Sequence, residues 1–232
     1  MILAYHRVNP WRRNDALSVA PERFRRQISF LLNRGWTATP LTVEMPPRAF
    51  AVTFDDGFFD NYRWALPILE ELKVPATVFL AAGYVGTRDL LPRYRNPEED
   101  RFLTWEEVRE MAGRGISFGA HGLRHERLPL LTDAEAERVI RDSRSIIEER
   151  AGTQVSFFCY PYGEFTDATI GLVQNAGYSG AVVTPTRPVA EGPYTMIRIG
   201  IYSHTSHLAY RMKLWKDALR KRTRCCSLRL PS

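Results

Sequence analysis

Two histidines and two adjacent aspartates have the side chains and the spacing of a metal site that activates water. His121 and His125 are four residues apart in AHGLRHERL, and Asp55 and Asp56 are neighbours in AVTFDDGFFD. If the chain after residue 120 turns helical, both imidazoles fall on one face and can share a metal ion. Neutral imidazole and carboxylate suit zinc, and three protein ligands leave a position open for water. One aspartate is then the third ligand, and the other can stay ionised and take a proton from the water.

Each of these motifs has a plain structural explanation when it is taken alone. A single His-x-x-x-His is more often a pair of surface histidines on a helix, and a single Asp-Asp-Gly is more often a turn. Their positions in the chain favour a functional site. Apolar stretches end on four sets of residues, which are His6, Asp55-Asp56, His121 and Pro161-Tyr162-Gly163. Because the carboxyl ends of the parallel strands of a barrel lie on one face, the sequence predicts that these residues converge.

Apolar stretches typical of buried strands alternate with helical patterns along the whole chain. The predicted strands are residues 2–5, 49–54, 76–82, 115–120, 155–160, 177–183 and 194–202. The predicted helices begin at about Pro21, cover 61–72, open at Thr104 with Glu107 in a capping box, span 132–150 and cover about 166–176. This alternation predicts an α/β fold with a parallel sheet covered by helices. The number of strands favours a closed or nearly closed (β/α) barrel over an open doubly wound sheet.

Length, motifs and cysteine content argue against several classes of protein. At 232 residues the chain fits one large domain or two small ones, and no linker divides it. No GxGxxG or P-loop follows the first strand, which argues against a nucleotide-binding fold. Three cysteines, Cys159, Cys225 and Cys226, are too few for a disulfide framework. No apolar run reaches the roughly 18 residues of a spanning helix, and MILAYHRVNPWRR does not resemble a signal peptide, so we expect a cytoplasmic protein.

The net charge of +6 is concentrated at the carboxyl end. From Arg211 onward eight basic residues accompany one acid, Asp217, which leaves a nearly neutral body and no motif for nucleic-acid binding. We therefore divide the chain into a barrel at 1–204 and a basic helix with a tail at 205–232. Four apolar residues of this helix fall on one face, namely Leu208, Met212, Trp215 and Leu219. The helix either closes the barrel with a basic end or lies on a membrane surface.

Three short segments resemble the motifs of the polysaccharide deacetylases, the NodB-homology family of metal-dependent enzymes known as carbohydrate esterase family 4. TFDDG at 53–57 resembles the first motif, HGLRH at 121–125 the second and YPYG at 160–163 the third. The resemblance covers about residues 2 to 200 and includes the spacing between the motifs. YHRV at 5–8 resembles the circularly permuted subgroup that deacetylates exported biofilm poly-N-acetylglucosamine. The resemblance implies a distorted (β/α)7 barrel in a single domain.

The resemblance implies a metal centre built from Asp56, His121 and His125. The ion is usually zinc in this family, and Co2+, Ni2+, Mn2+ or Fe2+ are the alternatives. Asp55 would then be the general base. The backbone amide of Tyr162 corresponds to the donor that stabilises the oxyanion.

The general acid implied by the resemblance is a histidine. In the permuted subgroup it lies on the first strand, which implies His6, and His204 in the late segment RIGIYSHTSH is the alternative. Tyr160 stands where many relatives have an arginine, and Arg198 either orients the base instead or forms a surface salt bridge. Gly122 replaces the serine or threonine common after the first metal histidine, so a supporting hydrogen bond is expected to be absent.

The expected substrate is an N-acetylated amino sugar in a polysaccharide, an oligosaccharide or a lipid-linked precursor. The expected reaction removes its acetyl group, with metal-bound water activated by Asp55. We expect Phe59, Tyr160, Pro161 and Tyr162 to contact the substrate, although packing beneath the barrel rim explains the aromatic rings equally well.

Four other functions fit part of the pattern. A de-O-acetylase acting on a glycan would use the same site, and an inactive barrel would bind carbohydrate without turnover. An iron oxygenase uses two histidines and a carboxylate, but its usual His-x-Asp order is absent. A zincin-type protease needs a glutamate after the first histidine, where this chain has Gly122. Without an export signal, a precursor at the inner face of the membrane is favoured over an exported polymer.

Overall fold

The computed structural model describes residues 1–11, 15–87 and 100–227, with side chains described as far as residue 221. The strands are β1 (Ile2–Tyr5), β2 (Arg7–Val8), β3 (Ser18–Val19), β4 (Thr37–Ala38), β5 (Ala49–Phe54), β6 (Ala76–Leu80), β7 (Ile116–Ala120), β8 (Phe157–Cys159), β9 (Gly180–Val183), β10 (Met196–Ile197) and β11 (Ile199–Gly200). The helices are α1 (Pro21–Leu32), α2 (Leu66–Leu72), α3 (Trp105–Gly113), α4 (Asp133–Ala151), α5 (Asp167–Asn175) and α6 (His207–Ser227).

Nine of the strands form one parallel sheet in the order β10-β9-β8-β7-β6-β5-β1-β11, with β4 beside β5. The strands β2 and β3 form a separate parallel pair. Every residue of β1, β5 and β6 is buried. Burial on both faces is typical of parallel strands that have helices on one side and a barrel core on the other, and it explains their near-continuous apolar sequences.

The segment from Met196 to Gly200 brings the two ends of the sheet together. Its first part, β10, pairs with β9, and its second part, β11, pairs with β1. Arg198 lies between the two parts, and its backbone N–H donates to the carbonyl of Val183. The sheet is therefore nearly closed into a barrel, which confirms the predicted fold class.

Local signals placed most elements correctly. The strands β1 and β5 have the predicted bounds. The Thr104 hydroxyl accepts a hydrogen bond from the Glu107 amide at the start of α3, and Thr132 and Glu135 form the same capping box on α4. Gly152, with a φ of 68°, follows the last residue of α4, Ala151, close to the predicted end at residue 150.

One predicted helix is divided into two parts. Asn61–Ala65 forms a π-helical turn, and the α-helix α2 begins only at Leu66. Pro67 has no N–H to donate to the carbonyl of Arg63, which removes one hydrogen bond of a regular α-helix. The strands β2, β3 and β4 were not predicted, because two residues are too few to show a periodic pattern.

Some predictions fall outside the described residues. Residues 88–99, which precede the helix predicted to open at Thr104, lie outside the described set, and the end of the basic tail, with Arg229, belongs to 228–232. The side chains of Arg222, Arg224, Cys225 and Cys226 are also outside the described set. Cys159 is a buried free cysteine.

Candidate active site

The carboxyl ends of the barrel strands deliver the predicted polar residues to one rim. His6 follows β1, Asp55 and Asp56 follow β5, His121 follows β7, Tyr162 follows β8 and Arg198 joins β10 to β11. Asp55 has the central position, since His6 and Arg198 both contact its carboxylate. One of its oxygens also lies within 4.8 Å of a ring nitrogen of His121. The structure thus brings together segments that are far apart in the sequence.

Asp56, His121 and His125 have the spacing of ligands around one ion. The Nε2 atoms of both histidines lie 3.6 Å from the same Asp56 oxygen, Oδ1. The ligand atoms of the three residues are all within 4.8 Å of one another. Separations of 3.6 Å are too long for hydrogen bonds, whereas ligands about 2.0–2.1 Å from a tetrahedral zinc ion lie about 3.3 Å apart. The three residues therefore fit a divalent metal ion.

Both imidazoles are in the form that binds a metal. Nδ1 of His121 donates to the carbonyl of Cys159 at 2.7 Å, which places the ring proton on Nδ1 and leaves the Nε2 lone pair for an ion. Burial lowers the pKa of His121 to about 3. Burial also lowers the pKa of His125. Both rings are therefore neutral at neutral pH.

The segment that carries the two histidines is a turn, and not the helix that would have placed both imidazoles on one face. Gly122 and His125 have φ angles of 74° and 58°. The carboxylate of Glu126 accepts hydrogen bonds from the amides of Leu123 and Arg124 at 3.0 and 2.9 Å. A left-handed glycine directly after the strand prevents a helix from starting there. The turn instead brings the ring centroids of the two histidines to 4.6 Å.

Replacing Gly122 by alanine is expected to weaken the turn and the metal site. The left-handed conformation costs alanine about 1–2 kcal/mol, and its Cβ would lie 2.7 Å from Oε2 of Glu126, the carboxylate that holds the turn. We expect a lower midpoint of urea unfolding and a zinc affinity reduced by about tenfold. Gly171→Ala is the matched control, because a Cβ at this position of α5 would meet no atom within 4 Å apart from the backbone of its own helix. Equal zinc affinities in the two variants would show that the turn does not position His125.

Three non-glycine residues of the site have left-handed backbone conformations. The φ angle is 74° at Asp56, 58° at His125 and 59° at Tyr162. Such conformations cost free energy and persist where the surrounding structure enforces them, often at functional sites. Asp55 still continues the strand, because its N–H donates to the carbonyl of Tyr5. The left-handed residue after it redirects the chain, so the two adjacent carboxylates reach different partners.

Asp55 forms a two-pronged salt bridge with Arg198. Nη1 donates to Oδ1 and Nη2 donates to Oδ2, both at 2.7 Å, and both side chains are buried. Nη1 also donates to the Thr53 hydroxyl at 3.1 Å. Burial by itself would raise the pKa of Asp55, but the Arg198 guanidinium outweighs burial and holds that pKa well below its usual range. The pair lies inside the barrel and is not the surface salt bridge considered as the alternative.

Metal affinity is expected to fall below about pH 6. Burial raises the pKa of Asp56 to about 6, and only the ionised carboxylate is a ligand. Below this pH a proton therefore competes with the metal for the Asp56 carboxylate. Above this pH the carboxylate is ionised and the competition fades. Zinc affinity measured against a competing chelator should fall about fivefold between about pH 6 and about pH 5, and change little between about pH 7 and about pH 8. An affinity that stays constant down to about pH 5 would contradict this role of Asp56.

His6 lies beside the Asp55 carboxylate, whereas His204 does not. Nε2 of His6 lies 3.8 Å from Oδ2 of Asp55, and its side chain is 17% exposed. The Asn61 side chain donates to the His6 carbonyl at 2.9 Å, which holds the chain after β1. His204 is exposed and stacks on Tyr202, and no contact between His204 and Asp55 occurs within the described part of the chain. Of the two histidines, His6 is thus the one beside Asp55, and its role as the acid stays a prediction.

Tyr162 combines an exposed ring with an available backbone donor. Its side chain is 47% exposed and packs edge-on against His125, with ring centroids 4.3 Å apart. The guanidinium of Arg127 lies 3.9 Å from the ring centroid of Tyr162. The amide N–H of Tyr162 has no hydrogen-bond partner among the residues that the structure describes. The residue can therefore offer both a hydrogen bond and an aromatic surface to a ligand.

The other residues predicted to contact substrate have different environments. Phe59 is partly exposed, and the guanidinium of Arg101 lies 3.7 Å from its ring centroid. Tyr160 is 1% exposed and packs against Phe165, with ring centroids 5.1 Å apart. Pro161 is buried as well. Tyr160 and Pro161 therefore contribute packing beneath the rim and expose no surface on which a sugar could stack.

Sequence reasoning missed residues that hold the functional groups in place. The Thr53 hydroxyl accepts a hydrogen bond from Arg198, and the Cys159 carbonyl accepts one from His121. The Sγ atom of Cys159 also lies 3.1 Å from Nη2 of Arg198. A lone polar residue in an apolar strand is a weak signal. The sequence gives one indication that Thr53 and Cys159 hold the site in place, which is their position in β5 and β8, the strands that lead into the first and third motifs.

A nearly closed α/β barrel with a metal-ligand cluster and a salt-bridged carboxylate at its carboxyl rim has the architecture of a barrel hydrolase. The family model described as polysaccharide deacetylase matches residues 42–181. Because the match covers more than half of the chain, the protein belongs to the polysaccharide deacetylase family. This confirms the family and the enzyme class, a carbohydrate deacetylase, that the motifs predict. His6 and Arg198 lie outside the matched residues, so their place in the site comes from the structure.

Known proteins resemble the chain over most of its length. YxkH of Bacillus subtilis (strain 168), whose name assigns it to the polysaccharide deacetylases, is 27% identical over 220 residues, which cover 90% of this chain and 74% of the relative. The poly-beta-1,6-N-acetyl-D-glucosamine N-deacetylase of Staphylococcus aureus (strain MSSA476) is 26% identical over 179 residues, or 69% of this chain and 59% of the relative's length. The Streptococcus pyogenes deacetylase PplD in complex with acetate shares the fold, with a TM-score of 0.76, 23% identity and coverage of 91% of this chain and 96% of that chain.

Proposed function

We propose that the protein is a metal-dependent N-deacetylase that removes the acetyl group of an N-acetylated amino sugar. The observation that carries this proposal is the environment of Asp55. This carboxylate is salt-bridged to Arg198, lies 3.8 Å from His6 and neighbours the metal-ligand cluster. A base, an acid and a metal-ligand cluster at one rim are the groups that hydrolysis of an amide uses.

Zinc is the ion that we assign to Asp56, His121 and His125. Two neutral imidazoles and one carboxylate suit zinc, and Co2+, Ni2+, Mn2+ and Fe2+ accept the same ligands. When bound, such an ion polarises the acetyl carbonyl and lowers the pKa of water. The ligands follow the strands β5 and β7, which flank β6, so the barrel itself sets their separation.

The residues of the chain supply the proton transfers. Asp55, kept ionised by Arg198, accepts a proton from the attacking water. The amide N–H of Tyr162 donates to the acetyl oxygen as negative charge develops on it. His6, when protonated, donates to the departing nitrogen as the C–N bond breaks, which yields acetate and a free amine.

An N-acetylated glycan is the substrate that we propose, because the family acts on acetylated polysaccharides and a relative is named for N-deacetylation of poly-N-acetylglucosamine. De-O-acetylation is the main alternative. The position of His6 favours the amide, because an amine is a poor leaving group without a proton, whereas an alkoxide from an ester depends less on an acid. The exposed ring of Tyr162 and the partly exposed ring of Phe59 offer surfaces for the sugar.

The test is acetate release from N-acetylglucosamine oligomers, from lipid-linked N-acetylated precursors and from O-acetylated glycans. We expect acetate and free amine in equal amounts from N-acetylated substrates. His6→Gln should slow N-deacetylation more than ester hydrolysis. Acetate from O-acetylated substrates alone would overturn the proposed reaction. Glycan binding without any acetate release would instead assign the barrel a carbohydrate-binding role.

A further inference from the structure

Helix α6 carries a row of apolar side chains that faces solvent. Leu208, Met212 and Trp215 are 65%, 49% and 63% exposed, and Leu219 continues the row at 39%. Their spacing places them on one side of the helix. We call these four residues the outer face of α6. They make up four of the seven exposed large apolar side chains in the described residues, so the row is a concentrated patch and not ordinary scatter.

A different side of α6 packs on the barrel. Tyr210 and Leu214 are buried, and the Tyr210 hydroxyl donates to the carbonyl of Gln27 in α1 at 3.1 Å. Closure of the barrel therefore accounts for Tyr210 and Leu214. It does not account for the outer face, which is a second apolar surface on the same helix.

The exposed charge on the part of α6 whose side chains are described, residues 207–221, is positive. Arg211 and Lys216 are exposed and directly adjoin Met212 and Trp215 of the outer face in the sequence. The single acid of the helix, Asp217, is 6% exposed and pairs with Arg220 and Lys221. Within the described residues no carboxylate pairs with Arg211 or Lys216, so anionic groups in solution meet these cations beside the outer face.

A groove of about 530 Å³ between α1 and α6 extends this surface. Its walls include the rings of Phe30, Trp36 and Trp215 and the guanidinium groups of Arg34, Arg48 and Arg211. None of the residues lining it in the described chain is acidic. Aromatic rings and long basic side chains are together typical of the boundary between lipid headgroups and acyl chains.

We propose that the outer face of α6 binds the surface of an anionic lipid bilayer, with the helix in the plane of the interface. The apolar side chains enter the boundary of the acyl region, and Arg211, Lys216 and the groove arginines contact the headgroup phosphates. A second copy of the chain fits this face less well, because symmetric pairing would bring like charges together. None of the described helices is long and apolar enough to cross a membrane.

Vesicle sedimentation of the full chain tests this proposal. We expect binding to vesicles of phosphatidylcholine with phosphatidylglycerol, and loss of that binding with pure phosphatidylcholine or at high salt. The double variant Met212→Glu/Trp215→Glu should partition at least about tenfold more weakly. Leu130→Glu is the matched control, since Leu130 is 78% exposed on a turn far from α6 in the sequence. It should bind as the wild type does.

Several results would overturn the membrane assignment. Equal partitioning of the double variant and the wild type would remove the outer face from any lipid contact. The same conclusion follows if the wild-type chain does not bind anionic vesicles at all. A dimer that light scattering detects in the wild type and not in the double variant would assign the face to a second copy. Acetate release from short soluble oligomers should be unchanged in the double variant, which separates this proposal from the proposed reaction.

Discussion

Replacing Asp55 by asparagine is expected to lower kcat for acetate release by about 10²–10⁴-fold while zinc binding is retained. Asparagine has nearly the same shape and can still accept one hydrogen bond from Arg198, but it cannot take a proton from water. The ligands Asp56, His121 and His125 are not changed by this substitution. Rate and zinc content should be measured on the same preparation, so that loss of the base is separated from loss of the metal.

Asp142→Asn is the control for this experiment. Asp142 lies within α4, so its replacement makes the same chemical change at a position away from the rim. We expect wild-type turnover and zinc content in that variant. If Asp55→Asn released acetate at more than about a tenth of the wild-type rate, Asp55 would not be the general base.

Replacing Arg198 by methionine is expected to lower the free energy of unfolding by about 3–5 kcal/mol. The substitution leaves the buried Asp55 carboxylate without its cation. Arg198 is what holds the pKa of Asp55 below its usual range, so removing it lets burial raise that pKa. Turnover should fall as well, because the base is then less ionised and no longer held in one orientation.

The pH dependence identifies the cause of this loss. Asp55 has a depressed pKa in the folded protein, so its pairing stabilises the fold above the unfolded-state pKa and this stabilisation is lost as pH falls through the folded-state pKa. In Arg198→Met, burial instead raises the pKa of Asp55, so the unpaired buried charge destabilises the variant at neutral pH and protonation relieves it as pH falls, while the wild-type pair is still largely intact at about pH 4. Urea unfolding should therefore show a larger difference between wild type and Arg198→Met at about pH 7.5 than at about pH 4. The double variant Asp55→Asn/Arg198→Met should be less destabilised than the sum of the single variants. A pH-independent, additive loss would mean that Arg198 contributes packing alone.

The barrel could be predicted from sequence because its signals are local and repeated. Apolar runs such as AFAVTF, capping residues such as Thr104 and Thr132, and a terminating Gly152 each act within a few residues of their own position. The closure of the sheet was not predictable in detail. It depends on Met196–Gly200 changing partners from β9 to β1, and no local pattern marks such a change.

The ligand cluster could be predicted from motifs, whereas the way it is assembled could not. Residue types identified Asp56, His121 and His125, but the helical spacing expected for the histidines is replaced by a turn that Glu126 holds. The partner of Asp55 is 143 residues away, so sequence alone left Arg198 with two explanations. Long-range pairing of this kind depends on the closed barrel.

The basic helix shows a similar limit. Its apolar row was visible in the sequence, but the sequence did not show which side of the helix packs on the barrel. The structure buries Tyr210 and Leu214 and leaves Leu208, Met212 and Trp215 exposed. Periodicity identifies an apolar face, and only tertiary packing decides whether that face is covered.

The central claim is that the cluster of Asp56, His121 and His125 makes deacetylation depend on a metal ion. The most direct test strips the protein with a chelator, removes the chelator and adds zinc in steps during acetate release from N-acetylglucosamine oligomers. We predict no release from the stripped protein, recovery that levels off at about one zinc per chain, and no recovery in Asp56→Asn. Acetate release that is indifferent to chelator and to added zinc would contradict the account.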